Sequence, residues 1–75
     1  MKRTHKGPLR EILGKNMRRL RAARGVTQEG LAHDSGVNRT YLSAVERAER
    51  NVSIDNIGRI AKGLKVEAWK LLKDD

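Results

Sequence analysis

The chain has 75 residues and no cysteine, so we expect one small domain with neither a disulfide framework nor a thiolate metal site. Its two histidines, His5 and His33, cannot alone supply a metal's ligand set, and the sequence predicts no metal site and no cofactor. The formal net charge is +8, with nine Lys or Arg side chains and a single acid in residues 1–24. This uneven distribution favours a polyanionic partner. The alternative is that the charge only keeps the protein soluble.

Targeting and membrane segments are not predicted. Residues 8–14 (PLREILG) carry charges where a signal peptide needs an unbroken apolar segment. No segment approaches the roughly 18 apolar residues of a transmembrane helix. We therefore expect a soluble, cytoplasmic protein without a membrane partner.

Five helices and no strands are predicted, which makes the fold class all-α. Residues 1–7 (MKRTHKG) are expected to form a basic flexible tail ahead of one domain over residues 8–75. The first helix is predicted from Pro8, which suits a first helical turn, to about Arg24, and Gly25 ends it. Its apolar stripe, at three- and four-residue spacing, consists of Leu9, Leu13, Met17 and Leu20.

The second helix begins a predicted helix-turn-helix. It is expected to start at Gln28, with Thr27 as its N-cap, and to end at about Ser35. Gly36 then supplies the positive φ that a tight turn needs. Its residues expected to face the core are Leu31 and Ala32. Two short helices joined by a glycine turn define the motif, which spans about residues 27–47.

The third helix has an apolar side and a polar side. It is predicted to begin at Arg39, with Asn38 as its N-cap. The core side has Leu42 and Val45 with Asn38, Glu46 and Glu49 nearby; the opposite side has Thr40, Ser43, Ala44 and Arg47. Short outer side chains let the helix lie deep in a DNA major groove, where Arg39 would contact a guanine edge. An ordinary helical hairpin would explain the core side equally well, but not the polar side together with the basic charge.

The last two helices are predicted to complete the core. The fourth follows Ser53 as its cap, and its apolar face consists of Ile54, Ile57, Ile60, Ala61 and Leu64. The fifth is expected over about residues 67–73. Trp69 and Leu72, one helical turn apart, form an apolar patch that we predict to be a dimer interface. The alternative is that Trp69 only covers the core of an undersized domain.

Four segments carry a family resemblance, namely RGVTQEGLA (24–32), SGV (35–37), YLSAVERAER (41–50) and SIDNIGRIAKGLKV (53–66). From about Leu13 to Leu72 the chain resembles the Xre-type helix-turn-helix family, which includes the lambda-type phage repressors and Cro. Within it, NRTYLSAVERAERNVSI (38–54) is most similar to the controller proteins of restriction-modification systems. The resemblance implies a five-helix, lambda-repressor-like domain in a prokaryotic or phage-encoded protein.

The resemblance also implies a function and partners. We expect a homodimeric transcription regulator that binds a pseudo-palindromic operator in double-stranded DNA, and we expect it to control a restriction-modification operon that includes its own gene. RNA polymerase is a further candidate partner. No enzymatic activity is expected, because the sequence has no convergent carboxylate pair and no phosphate-cradling glycine loop.

The family's functional positions carry over to named residues. Gln28 would contact a backbone phosphate, and Arg39, Thr40 and Ser43 would face base edges. Tyr41 would either donate its hydroxyl to a phosphate or pack over Leu31. The remaining candidate DNA contacts are Asn38, Arg47, Arg50 and Asn51. Arg21 and Glu46 match positions that form an internal ion pair between the first and third helices.

Three positions depart from the family's pattern. Ala48 stands where many relatives have the glycine that closes the recognition helix, so this helix is expected to end differently or to run slightly longer. Gly30 replaces an acid and is expected to weaken the capping of the second helix. Val52 replaces a common proline, although the controller-like relatives also carry an apolar residue there.

Other function classes stay open at this point. An antitoxin or a phage-type repressor would have another protein as its main partner, and we favour this less because no long segment follows Asp75. A basic amphipathic helix over residues 8–24 on a membrane would leave the helix-turn-helix unexplained. RNA binding by base stacking has little support, because Tyr41 and Trp69 are the only aromatic residues.

Overall fold

The chain folds into five helices in a computed structural model that describes residues 8–74. They are α1 (Pro8–Arg24), α2 (Gln28–Ser35), α3 (Arg39–Glu46), α4 (Ile54–Leu64) and α5 (Trp69–Leu72). Residues 8–74 contain no strand, so the predicted all-α class is confirmed. The predicted tail, residues 1–7, lies outside the described part of the chain.

Three helices begin at the side-chain caps that the sequence predicts. The acceptor and donor pairs are Thr27 Oγ1 with Gly30 N–H (2.9 Å), Asn38 Oδ1 with Tyr41 N–H (2.8 Å) and Ser53 Oγ with Asn56 N–H (3.1 Å). Each bond satisfies an amide that has no partner inside its own helix. The Gly30 N–H donates to Thr27 Oγ1 although glycine lacks the carboxylate that would complete a capping box. The fifth helix, α5, has no side-chain cap. It has four residues and is shorter than the helix predicted over residues 67–73.

Four left-handed residues follow the first four helices. Gly25 (φ 68°) and Gly36 (φ 73°) follow α1 and α2, while Ala48 (φ 63°) and Lys65 (φ 60°) follow α3 and α4. The expectation that alanine at position 48 makes the third helix end differently from that of its relatives, or run slightly longer, stays a prediction. That helix ends at Glu46, and the amides of Ala48 and Glu49 bond back to the carbonyls of Val45 and Ala44 (both 3.0 Å). Alanine therefore adopts a left-handed geometry here. Glycine would adopt the same geometry without the steric penalty that a β-carbon imposes.

The core lies where α1 packs on α3 and α5 and where α2 packs on α3 and α4. Its buried members are Leu13, Met17, Leu31, Ala32, Leu42, Val45, Ile60, Ala61, Leu64 and Leu71. Two glycines allow close helix crossings. A Cβ on Gly14 of α1 would lie 2.5 Å from the carbonyl oxygen of Glu46, and one on Gly63 of α4 would lie 2.3 Å from Ser35 Oγ. The sequence pattern did not identify either crossing.

Five residues differ from their predicted environments. Leu9 is 55% exposed and Ile54 is 80% exposed, because each lies in the first turn of its helix, where neighbouring helices do not cover the apolar stripe. Ala44 is buried at 8% exposure instead of facing outward with Ser43. Asn38 and Glu49, predicted near the core side of the third helix, are both exposed, because Asn38 precedes α3 and Glu49 lies beyond its end. Among the described residues, no helix has the length and apolarity required to cross a bilayer.

Candidate nucleic-acid interface

The outer side of α3 is a shallow polar groove. Its lining residues are Arg39, Thr40, Ser43 and Arg47, and the groove measures about 180 Å³. Arg39 and Thr40 are exposed, and neither side chain has a hydrogen-bond or ion-pair partner within residues 8–74. Since Leu42 and Val45 hold the opposite side of the helix in the core, these two polar side chains are free to contact a ligand.

Arg47 is already held by two neighbours. Its Nη1 donates to Ser43 Oγ at 2.7 Å, and its Nε donates to Glu49 Oε1 at 3.1 Å. Arg47 and Glu49 are both more than half exposed, so water screens their attraction. A DNA contact from Arg47 would therefore share or replace these bonds, whereas Arg39 has none to give up.

Glu46 is a buried carboxylate that joins three helices. Arg21 of α1 donates to it twice, from Nε at 2.7 Å and from Nη2 at 3.0 Å, so the ion pair predicted from the sequence is present. Gln28 Nε2 of α2 also donates to Glu46 Oε1 at 2.9 Å. Arg18 Nη1 donates to the backbone carbonyl of the same glutamate. These bonds fix the C-terminal end of α3 against α1 and α2.

Within the Arg21–Glu46 ion pair, the arginine stays protonated near neutral pH. The hydrogen bond to Glu46 raises the pKa of the Arg21 guanidinium, although burial opposes this effect. A cation whose pKa is raised by folding stabilises the fold at every pH below its unfolded pKa, and this contribution is lost only as the pH rises through the folded pKa. Because an arginine already titrates far above neutrality, its titration does not change stability at physiological pH.

Gln28 and Asn38 have part of their hydrogen-bonding capacity committed inside the fold. Gln28 was predicted to contact a phosphate, but one of its amide hydrogens is bonded to Glu46, which leaves the second for a ligand. Asn38 uses Oδ1 as the cap of α3 and keeps an exposed amide group. Gln28 also lines an open cleft of about 450 Å³ beside the start of α3, together with Arg21, Thr27, Glu29 and Arg39.

Tyr41 lies between α3, the following loop and α4. Its ring is half-buried under the Arg50 guanidinium, whose central carbon is 4.9 Å from the ring centroid. Its hydroxyl oxygen accepts a hydrogen bond from Asn56 Nδ2 at 3.1 Å. Arg59 Nη1 in turn donates to Asn56 Oδ1 at 3.0 Å. Sequence reasoning missed Asn56 and Arg59, because their i, i+3 spacing shows only that they share one side of α4.

The two predicted dimer residues lie in different surroundings. Leu72 is half-buried and lines an apolar groove of about 300 Å³. The other lining residues are Leu9, Arg10, Leu13, Asn51, Val52, Ile54 and Ile57. Trp69 does not line this groove. It is 58% exposed, and Lys70 Nζ lies 5.7 Å from the centroid of its ring.

No group of three or more His, Cys, Asp or Glu side chains within residues 8–74 is placed to hold an ion. The polar groups of the α3 surface are instead cations, hydroxyls and amides, which suit the acceptor atoms of phosphates and base edges.

Comparison with known proteins connects this geometry to a family. A helix-turn-helix family model matches residues 17–68. A hypothetical transcription factor of Neisseria meningitidis serogroup B is 47% identical over 64 residues, a match that covers 85% of this chain and 60% of that protein. The control protein C.SmaI of Serratia marcescens is 44% identical over 64 residues, covering 85% of this chain and 76% of its own length.

A solved structure shows the same arrangement of helices. The restriction-modification controller protein C.AhdI from Aeromonas hydrophila aligns with a TM-score of 0.80 at 44% sequence identity. The alignment covers 83% of this chain and 94% of that one. By contrast, the chain spans less than two thirds of the Neisseria transcription factor.

Proposed function

Because this chain belongs to the Xre-type helix-turn-helix family, we propose that it is a DNA-binding transcription regulator that acts as a homodimer on a pseudo-palindromic operator. The observation that carries the proposal is the two-sided α3, in which Leu42 and Val45 are buried while Arg39 is exposed and unpaired within residues 8–74. Phosphate neutralisation by the excess cations would supply much of the affinity. A few side chains on α3 would supply base discrimination.

The proposed DNA contacts lie at the start of α2, on and just before α3, and in the loop that follows α3. They are Gln28, Asn38, Arg39, Thr40, Tyr41, Ser43, Arg47, Arg50 and Asn51. Arg39 is the proposed base-reading residue, because it is long, exposed and at the N-terminal end of α3, the end that enters the major groove in helix-turn-helix complexes. Ser43 is a weaker candidate, since its hydroxyl already accepts a bond from Arg47.

The proposed dimer uses the apolar groove between α1, α4 and α5. Ile54 is 80% exposed at the groove edge, so a two-fold axis beside it would place each Ile54 in the groove of the other copy. Such a contact is self-complementary, as a two-fold interface requires. Residues 1–7 (MKRTHKG) offer mainly polar and cationic side chains, which suit this groove poorly. Leu72 belongs to this surface, and Trp69 stays a predicted interface residue on a separate part of α5.

The proposed regulatory role is control of a restriction-modification operon. It is supported by 44% identity to C.SmaI and by the similarity to the C.AhdI structure. A neighbouring endonuclease gene and methyltransferase gene would agree with this role, whereas a neighbouring toxin gene would favour the antitoxin alternative. We further propose a non-enzymatic, cytoplasmic role, with RNA polymerase as the second partner if the regulator activates its promoter.

Binding selection from a pool of random duplexes tests the function directly. We expect enrichment of one pseudo-palindromic site, and footprinting of that site should show two protected half-sites about one helical turn, or 34 Å, apart. A parallel selection with Arg39→Ala provides the matched control and should enrich a less defined site. Failure of the natural chain to enrich any duplex would contradict the proposed function.

A further inference from the structure

A hydrogen-bond network of three polar side chains runs from α4 to α3. It begins at Arg59, passes through the Asn56 amide and ends at the Tyr41 hydroxyl, with donor–acceptor distances of 3.0 and 3.1 Å. Arg59 is exposed, whereas Asn56 and Tyr41 are half-buried. Two helices therefore cooperate in placing one hydroxyl group.

The donor and acceptor of each hydrogen bond in this network are fixed by the chemistry of the side chains. A guanidinium group can only donate, so Arg59 requires the carbonyl oxygen of Asn56 on its side. The Asn56 amide nitrogen then faces Tyr41 and donates to the hydroxyl oxygen. Tyr41 has a single O–H, which must point to another acceptor. No acceptor for it is present within residues 8–74.

The surroundings of this free O–H favour an anionic acceptor. The Arg50 guanidinium lies over the Tyr41 ring, and the Arg59 guanidinium lies at the other end of the hydrogen-bond network. Both arginines are exposed. A phosphate diester oxygen can only accept hydrogen bonds and carries the charge that these two cations attract.

We propose that Asn56 is a positioning residue that directs the Tyr41 hydroxyl to donate to a DNA backbone phosphate, with the charge of Arg59 acting on the same phosphate. The inference rests on the proposed function and extends its surface from α3 onto α4. Asn56 acts through the direction of its hydrogen bond, because the amide nitrogen that faces Tyr41 can only donate, and not by filling space.

A double-mutant cycle with Asn56→Asp and Tyr41→Phe tests the direction. The aspartate has nearly the same shape and can still accept from Arg59, but it offers Tyr41 an acceptor and turns the O–H inward. Its added negative charge also weakens DNA binding, and the Tyr41→Phe background measures that effect alone because it has no hydroxyl to redirect. Dissociation constants are measured by fluorescence anisotropy on the duplex enriched by selection, after thermal melts show that all four proteins are folded.

The expected result is strong coupling between the two positions. Tyr41→Phe should weaken binding about tenfold, as for a lost hydrogen bond to a charged group. Asn56→Asp should cost about tenfold more in the natural background than in the Tyr41→Phe background. Equal losses in the two backgrounds would overturn the proposal while leaving DNA binding itself intact. Absence of binding by the natural chain to every duplex would overturn both this proposal and the function on which it rests.

Arg59→Gln separates the charge of Arg59 from its hydrogen bond. Glutamine can still donate to Asn56, so the coupling between positions 41 and 56 should persist. Loss of one phosphate-neutralising cation should reduce the slope of log K against log salt by about 1, whereas Tyr41→Phe, which removes a neutral group, should leave the slope unchanged. An unchanged slope for Arg59→Gln would overturn the part of the proposal that places this charge at the phosphate.

Discussion

Arg39 is the side chain from which we expect base discrimination. Its guanidinium is exposed and unpaired within residues 8–74, so no internal bond is lost when it contacts a guanine. Arg39→Ala should weaken binding to the selected operator by about 1–3 kcal/mol. Binding to a scrambled duplex should change much less and should stay salt-sensitive. Equal loss on both duplexes would identify Arg39 as a phosphate contact instead.

Ala48, like Lys65, has the left-handed backbone geometry that disfavours a β-carbon. Ala48 has φ 63° and lies two residues beyond the end of α3, and at such a φ the β-carbon, which glycine lacks, crowds backbone atoms. Ala48→Gly should therefore stabilise the fold by about 0.5–1 kcal/mol, even after the greater unfolded-state entropy of glycine is counted. Urea denaturation measures the change.

The matched control for that substitution is Ala22→Gly. Ala22 is exposed within α1, so the same chemical change there should destabilise by about 1 kcal/mol. If both substitutions destabilise the fold by the same amount, then the left-handed geometry at position 48 imposes no penalty on alanine.

At the scale of elements, the crossing of α1 and α3 depends on a missing β-carbon. A Cβ at Gly14 would lie 2.5 Å from the carbonyl oxygen of Glu46, which is backbone and cannot rotate away. Gly14→Ala should cost about 2–3 kcal/mol because the two helices must separate, and it should also weaken DNA binding because α3 shifts. Urea denaturation and anisotropy on the selected duplex measure the two effects.

Gly58→Ala is the control for the helix crossing. Gly58 also lies inside a helix, α4, but a Cβ there meets no atom within 4 Å. This substitution should stabilise the fold by about 0.5–1 kcal/mol, because alanine loses less backbone entropy in a helix. Destabilisation of similar size at both positions would argue against a steric role for Gly14.

At the scale of the whole molecule, dimerisation should depend on Ile54. Its side chain is 80% exposed, so Ile54→Lys should leave the fold intact and place a charge in the proposed interface. The variant should sediment as a monomer at concentrations where the natural chain is a dimer, and its operator affinity should fall because the half-sites are no longer bound together.

Trp69→Lys distinguishes the two apolar surfaces. Trp69 is also exposed but does not line the groove, so this variant should stay dimeric if the groove forms the interface. Dissociation by Trp69→Lys but not by Ile54→Lys would place the interface on α5, as the sequence pattern predicted for Trp69.

The sequence alone determined the elements of this protein and the order in which they occur. Local interactions decide these features: Thr27, Asn38 and Ser53 cap helices through amides three residues away, and Gly25 and Gly36 supply left-handed turns. The 3.6-residue period then identified most of the core, and the motifs identified the family. These signals act within a few residues, so they can be recognised without knowledge of the fold.

Only the tertiary structure decided which of those surfaces are covered and where polar side chains point. Leu9 and Ile54 follow the apolar pattern but are exposed. Periodicity indicates which side of a helix is apolar, but not how far the neighbouring helices extend along that side. Gln28 turns an amide hydrogen toward Glu46, 18 residues away, and Asn56 reaches Tyr41, 15 residues away. Such contacts depend on how helices cross, and the crossing angle and distance are set by packing between segments that are distant in the chain.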